Sequence, residues 1–395
     1  AARGVNARAE AADLAGLPRE LGVWPRAGEP RGTLLFVVGG LHGNEPAGVH
    51  AIRTVFAELE RRALPLAGRV VGLVGNRAAV ARGRRYAEAD LNRLWTEEHV
   101  AAVRRGELAS AEAREQAELL AHLDLHLAAG FERVVLLDLH STSAGGAPFT
   151  IHSDTLQNRP IAFALPVPVL LGLEERVQGT LLSWFADQGH AAVCLEGGQN
   201  DVPSTVENHV AALWLTLAST GLLAEHDLPE LARHRARLAN SARNLPAVVE
   251  LRYRYGIDAG ATFEMLPGFQ NFQPVRRGEV LARIDTGGGA ADVASPLAGR
   301  MLMPRYQALG DDGFLLGREV RPFWLGLSGL VRRARLDWVV RTLPGVAADR
   351  ARPGELSVDR RIARWFTVEI LHLFGYRWRA REGRRVRFVR RRDSA

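Results

Sequence analysis

Between residues 32 and 223, short apolar runs rich in β-branched residues alternate with longer stretches of helical spacing. This alternation is what most constrains the fold. "GTLLFVVGG" (32–40) is apolar throughout, too short for a typical helix and bounded by glycine, the pattern of a strand buried on both faces. "PAGVHAIRTVFAELERRA" (46–63) follows with apolar residues at helical spacing and Pro46 suited to a first turn. Strands are expected again at 68–76, 131–140 ("FERVVLLDLH") and 190–198 ("HAAVCLEGG"), and helices at 109–130, 179–189 and 205–223. The apolar run 160–173 is interrupted by proline and is left open between helix and strand. Such a series predicts an α/β domain with a mixed, largely parallel sheet flanked by helices on both faces.

The texture changes near residue 245. Residues 247–320 carry short strand-like runs ("AVVELRYRYG", "GEVLARI", "GRMLMP") punctuated by Gly and Pro, which predicts a small all-β domain. Helical patterning returns after 330 in "RIARWFTVEILHLFGY" (361–376), followed by an Arg-rich tail. The expected division is a catalytic domain over 1–245, a small β-rich domain over 246–330 and a helical C-terminal extension over 331–395, with no internal repeat and no low-complexity linker.

The charge is unusual in kind and in place. The sequence contains no lysine, so all 51 basic residues are arginine. That excludes mechanisms built on a lysine, such as a Schiff base, a Walker-type phosphate loop or a lipoyl or biotinyl carrier. Residues 376–395 hold nine Arg and two acids, a net of +7, while the remainder has 42 of each and is neutral. "RRVRFVRRR" (384–392) would make an edge strand with one basic face, able to bind nucleic acid with steep salt dependence. The sequence favours a solvated terminal charge run over such a site. The lone cysteine, Cys194, excludes an intrachain disulfide and fits a reducing compartment. "AARGVNARAEAADLAG" (1–16) has no apolar run of the kind a secretory leader needs, and no stretch approaches the ~20 apolar residues of a membrane helix. A cytoplasmic location and no membrane partner are therefore expected; homo-oligomerisation is left open.

Four segments carry the chemistry. In "GGLHGNEP" (39–46), His42 and Glu45 fall at the carboxyl end of an expected strand, where sites in open α/β sheets gather. His plus carboxylate suits Zn²⁺; the alternative is a strand–helix turn with Glu45 favoured by the helix dipole. Gly40 and Gly43 would let the chain turn and keep the corner open. In "LLDLHST" (136–142), His140 ends another strand, with Asp138 two residues earlier on the same side. His42, Glu45 and His140 make the His₂Glu set common in catalytic zinc sites. His122 and His126 have i, i+4 helical spacing and form a rival pair, on a helix face expected to be solvated. In "AVCLEGG" (192–198), Glu196 is a strand-end carboxylate among apolar neighbours, suited to accept a proton from a bound water. In "RRYAEADLNR" (84–93), Arg84, Arg85, Asn92 and Arg93 supply donors for a carboxylate or an oxyanion.

Together, "HGNE" (42–45), "RY" with "DLNR" (85–86, 90–93), "DLH" (138–140) and "LEGG" (195–198) resemble, in order and approximate spacing, the succinylglutamate desuccinylase/aspartoacylase family of zinc carboxypeptidase-like hydrolases. The segment 247–320 resembles the second domain of that family; residues 331–395 have no counterpart. The resemblance implies one Zn²⁺ per chain held by His42, Glu45 and His140, Glu196 as general base and then acid, and Arg85 polarising the scissile carbonyl. It further implies that Asn92 and Arg93 bind the carboxylate of a small N-acyl amino acid, and that Tyr306 reaches the substrate from the second domain. A metallocarboxypeptidase on the same scaffold is the alternative activity. Two departures concern the substrate. The aspartoacylase branch has an arginine ten residues before the base, where this chain has Ala186 followed by Asp187, and "STSAGGAPFT" (141–150) lacks the Arg-containing pattern of the desuccinylase branch.

Overall fold

The computed structural model describes residues 14, 16–27, 31–349, 352, 354–359, 361–362 and 367–393. Residues 1–13, on which most of the leader reading rests, lie outside them.

The expected alternation becomes a layered α/β body. The strands run in chain order as β1 (Glu20–Trp24), β2 (Thr33–Gly39), β3 (Gly68–Val74), β4 (Arg133–Thr142), β5 (Phe149–Ile151), β6 (Val169–Leu171), β7 (Ala191–Gln199) and β8 (Val248–Gly256). Helices α1 (Ala47–Arg62), α2 (Arg77–Arg82), α3 (Glu97–Arg104), α4 (Ala111–Leu127), α5 (Arg159–Ala164), α6 (Leu181–Asp187), α7 (Pro203–Ser219) and α8 (Leu231–Ser241) intervene. The ambiguous apolar run thus divides into the end of α5 and the strand β6. Strand β2 pairs in parallel with β3 and β4, and β4 in parallel with β7. Every residue of β2 is buried. Leu34, Phe36 and Val38 enter one core with Leu136, Phe149 and Phe185; Leu35 and Val37 enter the other with Ile52, Leu137 and Leu213. That two-sided burial is why the run reads as continuously apolar rather than alternating.

The second region does not stand apart as a separate sheet. It comprises β9 (Thr262–Met265), β10 (Pro274–Val275), β11 (Val280–Asp285), β12 (Ala290–Ala294), β13 (Gly299–Leu302) and β14 (Asp312–Glu319). One eleven-stranded sheet runs in the order β1-β3-β2-β4-β7-β5-β6-β8-β14-β13-β10, so it crosses from the first region into the second. Only β12-β11-β9 form their own three-stranded sheet.

Residues 331–395 depart from the expected helical extension, and a helix begins already at Pro322, inside the expected β-rich region. Helices α9 (Pro322–Arg333) and α10 (Thr367–Leu373) are present, but so is a four-stranded antiparallel sheet, β15 (Val346–Ala348), β16 (Glu355–Asp359), β17 (Tyr376–Glu382) and β18 (Arg385–Arg390), ordered β15-β16-β18-β17. Within the expected helix 361–376, residues 363–366 lie outside the described residues. The segment 384–392 is not the expected edge strand, and only part of the tail's charge is solvated. Strand β18 lies between β16 and β17, with Val386 and Phe388 in a core and arginines at alternate positions. Arg377 pairs with Asp187, Arg390 with Asp337 at 2.8 Å, and buried Arg391 with Glu174 and Glu175 at 3.0 and 3.1 Å. The acids that pair with Arg377, Arg390 and Arg391 are distant in sequence, so the tail reads locally as free charge.

The same seam holds a titratable histidine. His372 lies 3.0 Å from Glu175 and 3.1 Å from Glu250. Burial disfavours its charge, but the two carboxylates outweigh burial and push it up to about 9. Its contribution to stability is therefore full below the unfolded value near ~6.5 and lost as pH rises through about 9. Unfolding by urea should show a stability loss of up to about 3 kcal/mol between these limits that is absent from His372→Gln. Equal pH slopes for the two proteins would refute this assignment.

Among the described residues, no helix is long and apolar enough to cross a membrane.

Candidate active site

The site forms where β2, β4 and β7 end. After β2, Gly40 adopts φ +69°, which glycine allows without strain, and the chain turns through His42 and Glu45 into α1. Gly43 serves close packing rather than access. A Cβ there would overlap the Ala79 carbonyl group and the Arg84 oxygen, and its N–H donates to the Arg85 carbonyl at 3.2 Å. This contact brings residues 84–93 beside the turn.

His42 and His140 face one carboxylate. His42 Nδ1 lies 2.9 Å from Glu45 Oε1, and His140 Nδ1 lies 2.9 Å from Glu45 Oε2. The opposite ring nitrogens are also taken: His42 Nε2 meets Asp90 at 3.0 Å and His140 Nε2 meets Asp138 at 3.0 Å. Carboxylates in those positions fix the ring orientation and tautomer of metal-binding histidines. One ligand atom from each of His42, Glu45 and His140 lies within 4.8 Å of the others, and all three residues are buried. These residues form a group able to hold a metal ion, and two imidazoles with a carboxylate fit zinc. The rival His122–His126 pair instead flanks Glu20, with His126 buried and 2.9 Å from that carboxylate. It forms no such cluster among the described residues.

Glu196 stands beside this group because β7 pairs with β4 in the register His140 to Glu196; the register then shifts at the strand ends. Its Oε2 is buried, with no hydrogen-bond partner among the described residues. Burial pushes its carboxyl up to about 8, with Glu45 and Asp138 adding to the shift and His140 and Arg85 opposing it. Burial also acts to raise Glu45, but the His42 and His140 rings outweigh it and hold that carboxyl well below the usual range. Burial likewise disfavours the charged form of Asp90, and His42 and Arg85 overcome it. Two neighbouring carboxylates therefore have opposite proton affinities, the separation that acid–base chemistry uses.

Arg85 reaches Asp90 at 2.9 Å and Glu45 at 3.4 Å, its guanidinium bordering the cavity. Asp90 also accepts the Asn92 N–H at 2.9 Å, closing the turn Leu91–Arg93. Asn92 and Arg93 line the cavity but are partly engaged. Asn92 Oδ1 accepts from the Leu181 N–H at 3.0 Å, and Arg93 donates to Asp312 at 3.0 Å. Tyr306 is not among the lining residues: its hydroxyl donates to the Leu266 carbonyl and accepts from the Phe269 N–H within the second region. The expectation that Tyr306 reaches the substrate is corrected on that geometry; Met303, Arg305 and Gln307 line the cavity from the same loop. Ala186 is buried in α6 and does not line the cavity; Thr180, Leu182 and Ser183 do.

Sequence reasoning missed Asp90 as the partner of His42, although it stands inside "DLNR". It noted Asp138 without a role. It also missed His209, whose ring packs on Gly197 and which burial pushes down to about 3, keeping it neutral beside the histidine cluster.

The profile of the succinylglutamate desuccinylase/aspartoacylase catalytic domain matches residues 31–215. Over residues 31–215 the chain resembles that catalytic domain. A succinylglutamate desuccinylase of Burkholderia cenocepacia is 34% identical over 239 residues, 59% of this chain and 60% of that protein. One from Pseudomonas paraeruginosa is 30% identical over 133 residues, 32% of this chain and 40% of that protein. The chain thus matches less than two thirds of either relative's length. Among solved structures, a succinylglutamate desuccinylase/aspartoacylase of Rhodobacter sphaeroides superposes with a TM-score of 0.54 at 18% identity, covering 75% of this chain and 88% of that one. The product-bound ectoine utilization protein EutE (DoeB) of Ruegeria pomeroyi gives 0.52 at 19% identity, covering 73% and 86%. These likenesses show that the fold extends beyond the matched family domain. All four motifs, with His42, Glu45, Asp90, Asp138, His140 and Glu196, lie inside the family-matched span.

Proposed function

We propose that the chain is a zinc-dependent amidohydrolase that releases the acyl group of a small N-acyl amino acid. The observation carrying the proposal is the convergence of His42 Nδ1 and His140 Nδ1 on Glu45, backed by Asp90 and Asp138, with Glu196 in register beside His140. Zinc held by His42, Glu45 and His140 would supply Lewis-acid polarisation and a lowered water pKa. Glu196 accepts the proton of the attacking water and passes it to the departing amine nitrogen, which leaves as a neutral amine. Its burial raises its proton affinity, which suits the second transfer. Arg85, held by Asp90 and Glu45, presents its guanidinium to the oxygen of the scissile carbonyl as charge builds there. Asn92 and Arg93 contact the substrate from the 84–93 segment. In this reading residues 1–245 carry the chemistry, 246–330 supply a wall of the cavity, and 331–395 brace that wall from outside.

The direct test is metal content followed by a panel of N-acyl amino acids and short C-terminal peptides on zinc-loaded protein. Zinc at one per chain and cleavage of N-acyl amino acids are expected; peptide trimming instead would favour the carboxypeptidase alternative, and neither activity would sink the proposal. The histidine supports give a second check. Asp138→Asn should weaken zinc affinity about 10- to 100-fold in a competitive chelator titration, because His140 loses the carboxylate that orients its ring. An unchanged affinity would remove Asp138 from the site.

A further inference from the structure

Three arginines line the cavity: Arg85, Arg93 and Arg305. Arg85 is matched by Asp90 and Glu45, and Arg93 by Asp312, which Arg254 also binds. Arg305 differs. Among the described residues it makes no ion pair, and only neutral groups hold it. Its Nη1 donates to the Gly310 carbonyl at 2.8 Å and its Nη2 to the Phe263 carbonyl at 3.1 Å, and its guanidinium carbon lies 5.3 Å from the Phe263 ring centre. Nε is buried with no partner. Asp311, exposed and beyond ion-pair distance, acts on it only through space.

The loop carrying Arg305 is held on both sides. The Ser143 hydroxyl accepts from the Tyr306 N–H at 3.0 Å, and Gln307 accepts from Asn44 Nδ2 at 2.9 Å. Ser143 follows the His140 strand and Asn44 lies between His42 and Glu45, so the loop is tied directly to the segments that build the candidate metal site. A guanidinium held by neutral groups, with no ion pair among the described residues and Asp311 on the same cavity beyond ion-pair distance, is prepared for a planar anion, with little side-chain entropy left to lose on binding.

We infer that Arg305 is a specificity-determining residue that binds a carboxylate of the N-acyl amino acid. The inference rests on the deacylase reading above and adds to it a substrate contact supplied by the second region. The carboxylate belongs either to the amino acid half or to a dicarboxylic acyl half, and the same cation recognises both.

The test compares wild type, Arg305→Gln and Arg305→Lys on three zinc-loaded assays: N-acetyl amino acids, their C-terminal carboxamides, and N-succinyl amino acid carboxamides. A charged hydrogen bond made equally in ground and transition states acts on KM. Arg305→Gln should raise KM about 10- to 100-fold for carboxylate-bearing substrates with kcat kept, leave the N-acetyl carboxamides unchanged, and be partly rescued by lysine. Loss confined to the N-acetyl amino acids places the carboxylate on the amine side; loss confined to the succinyl compounds places it on the acyl side. Equal loss on every substrate, or none, overturns the inference. Calorimetric binding of N-acetyl and N-succinyl amino acids to chelator-treated protein separates this from the activity. Arg305-dependent binding without hydrolysis would keep Arg305 and overturn the deacylase reading. Hydrolysis with Arg305-independent binding and KM would do the reverse.

Discussion

Glu196→Gln is expected to lower kcat for amide hydrolysis by about 10²- to 10⁴-fold while leaving zinc stoichiometry and KM nearly unchanged. The substitution keeps the volume of a buried side chain and removes only its capacity to take and return a proton. Glu196 Oε2 has no hydrogen-bond partner among the described residues, so the change breaks no hydrogen bond at that oxygen. The residue is not one of the three clustered ligand groups, so the metal should remain. Steady-state kinetics with metal analysis on the same preparation decide the matter. Retained activity at full zinc occupancy would remove Glu196 from the proton path; loss of zinc together with activity would reassign it to the metal.

The second large effect is on stability. Arg391→Ala should destabilise the protein by about 3–5 kcal/mol in chemical denaturation, because it leaves Glu174 and Glu175 buried without their shared cation. Arg391 is 6% exposed, so water cannot readily replace it. Glu174 belongs to the wall of the active cavity, so the loss should also be felt there. Removing the charges together, as Glu174→Gln, Glu175→Gln and Arg391→Met, should recover much of the stability, since an uncompensated charge costs more than an absent pair. A single Arg391→Ala variant within about 1 kcal/mol of wild type would show that the seam is solvated.

Much of the candidate site was legible because its residues follow local rules. His42, Glu45, His140 and Glu196 stand at the ends of apolar runs, and a run that short and that apolar declares both its strand and the end at which loops collect. Asp138 shows through strand alternation. What was not legible depends on partners far away in sequence. The acid opposite Arg93 is 219 positions away, and Asp187, which meets Arg377, is 190 away. The tail therefore looked like free charge. The antiparallel sheet after 345 was hidden because its strands are short and two of them are Arg-rich, with only Val386 and Phe388 marking the buried face of β18. Tyr306 illustrates the limit of motif transfer, for its neighbours face the cavity while its hydroxyl closes a turn elsewhere.

The eleven-stranded sheet has a mechanical consequence. Strand β8 is hydrogen-bonded to β6 on one side and to β14 on the other, so the two regions that enclose the cavity share one raft of backbone bonds. A clamshell opening would have to tear a strand pair, and the usual freedom of neighbouring domains to swing is lost. Entry and exit must then pass through a mouth of nearly fixed width, with only side chains to adjust it. Selectivity in such a vessel is set by what fits and what is charged, before any closure could take part.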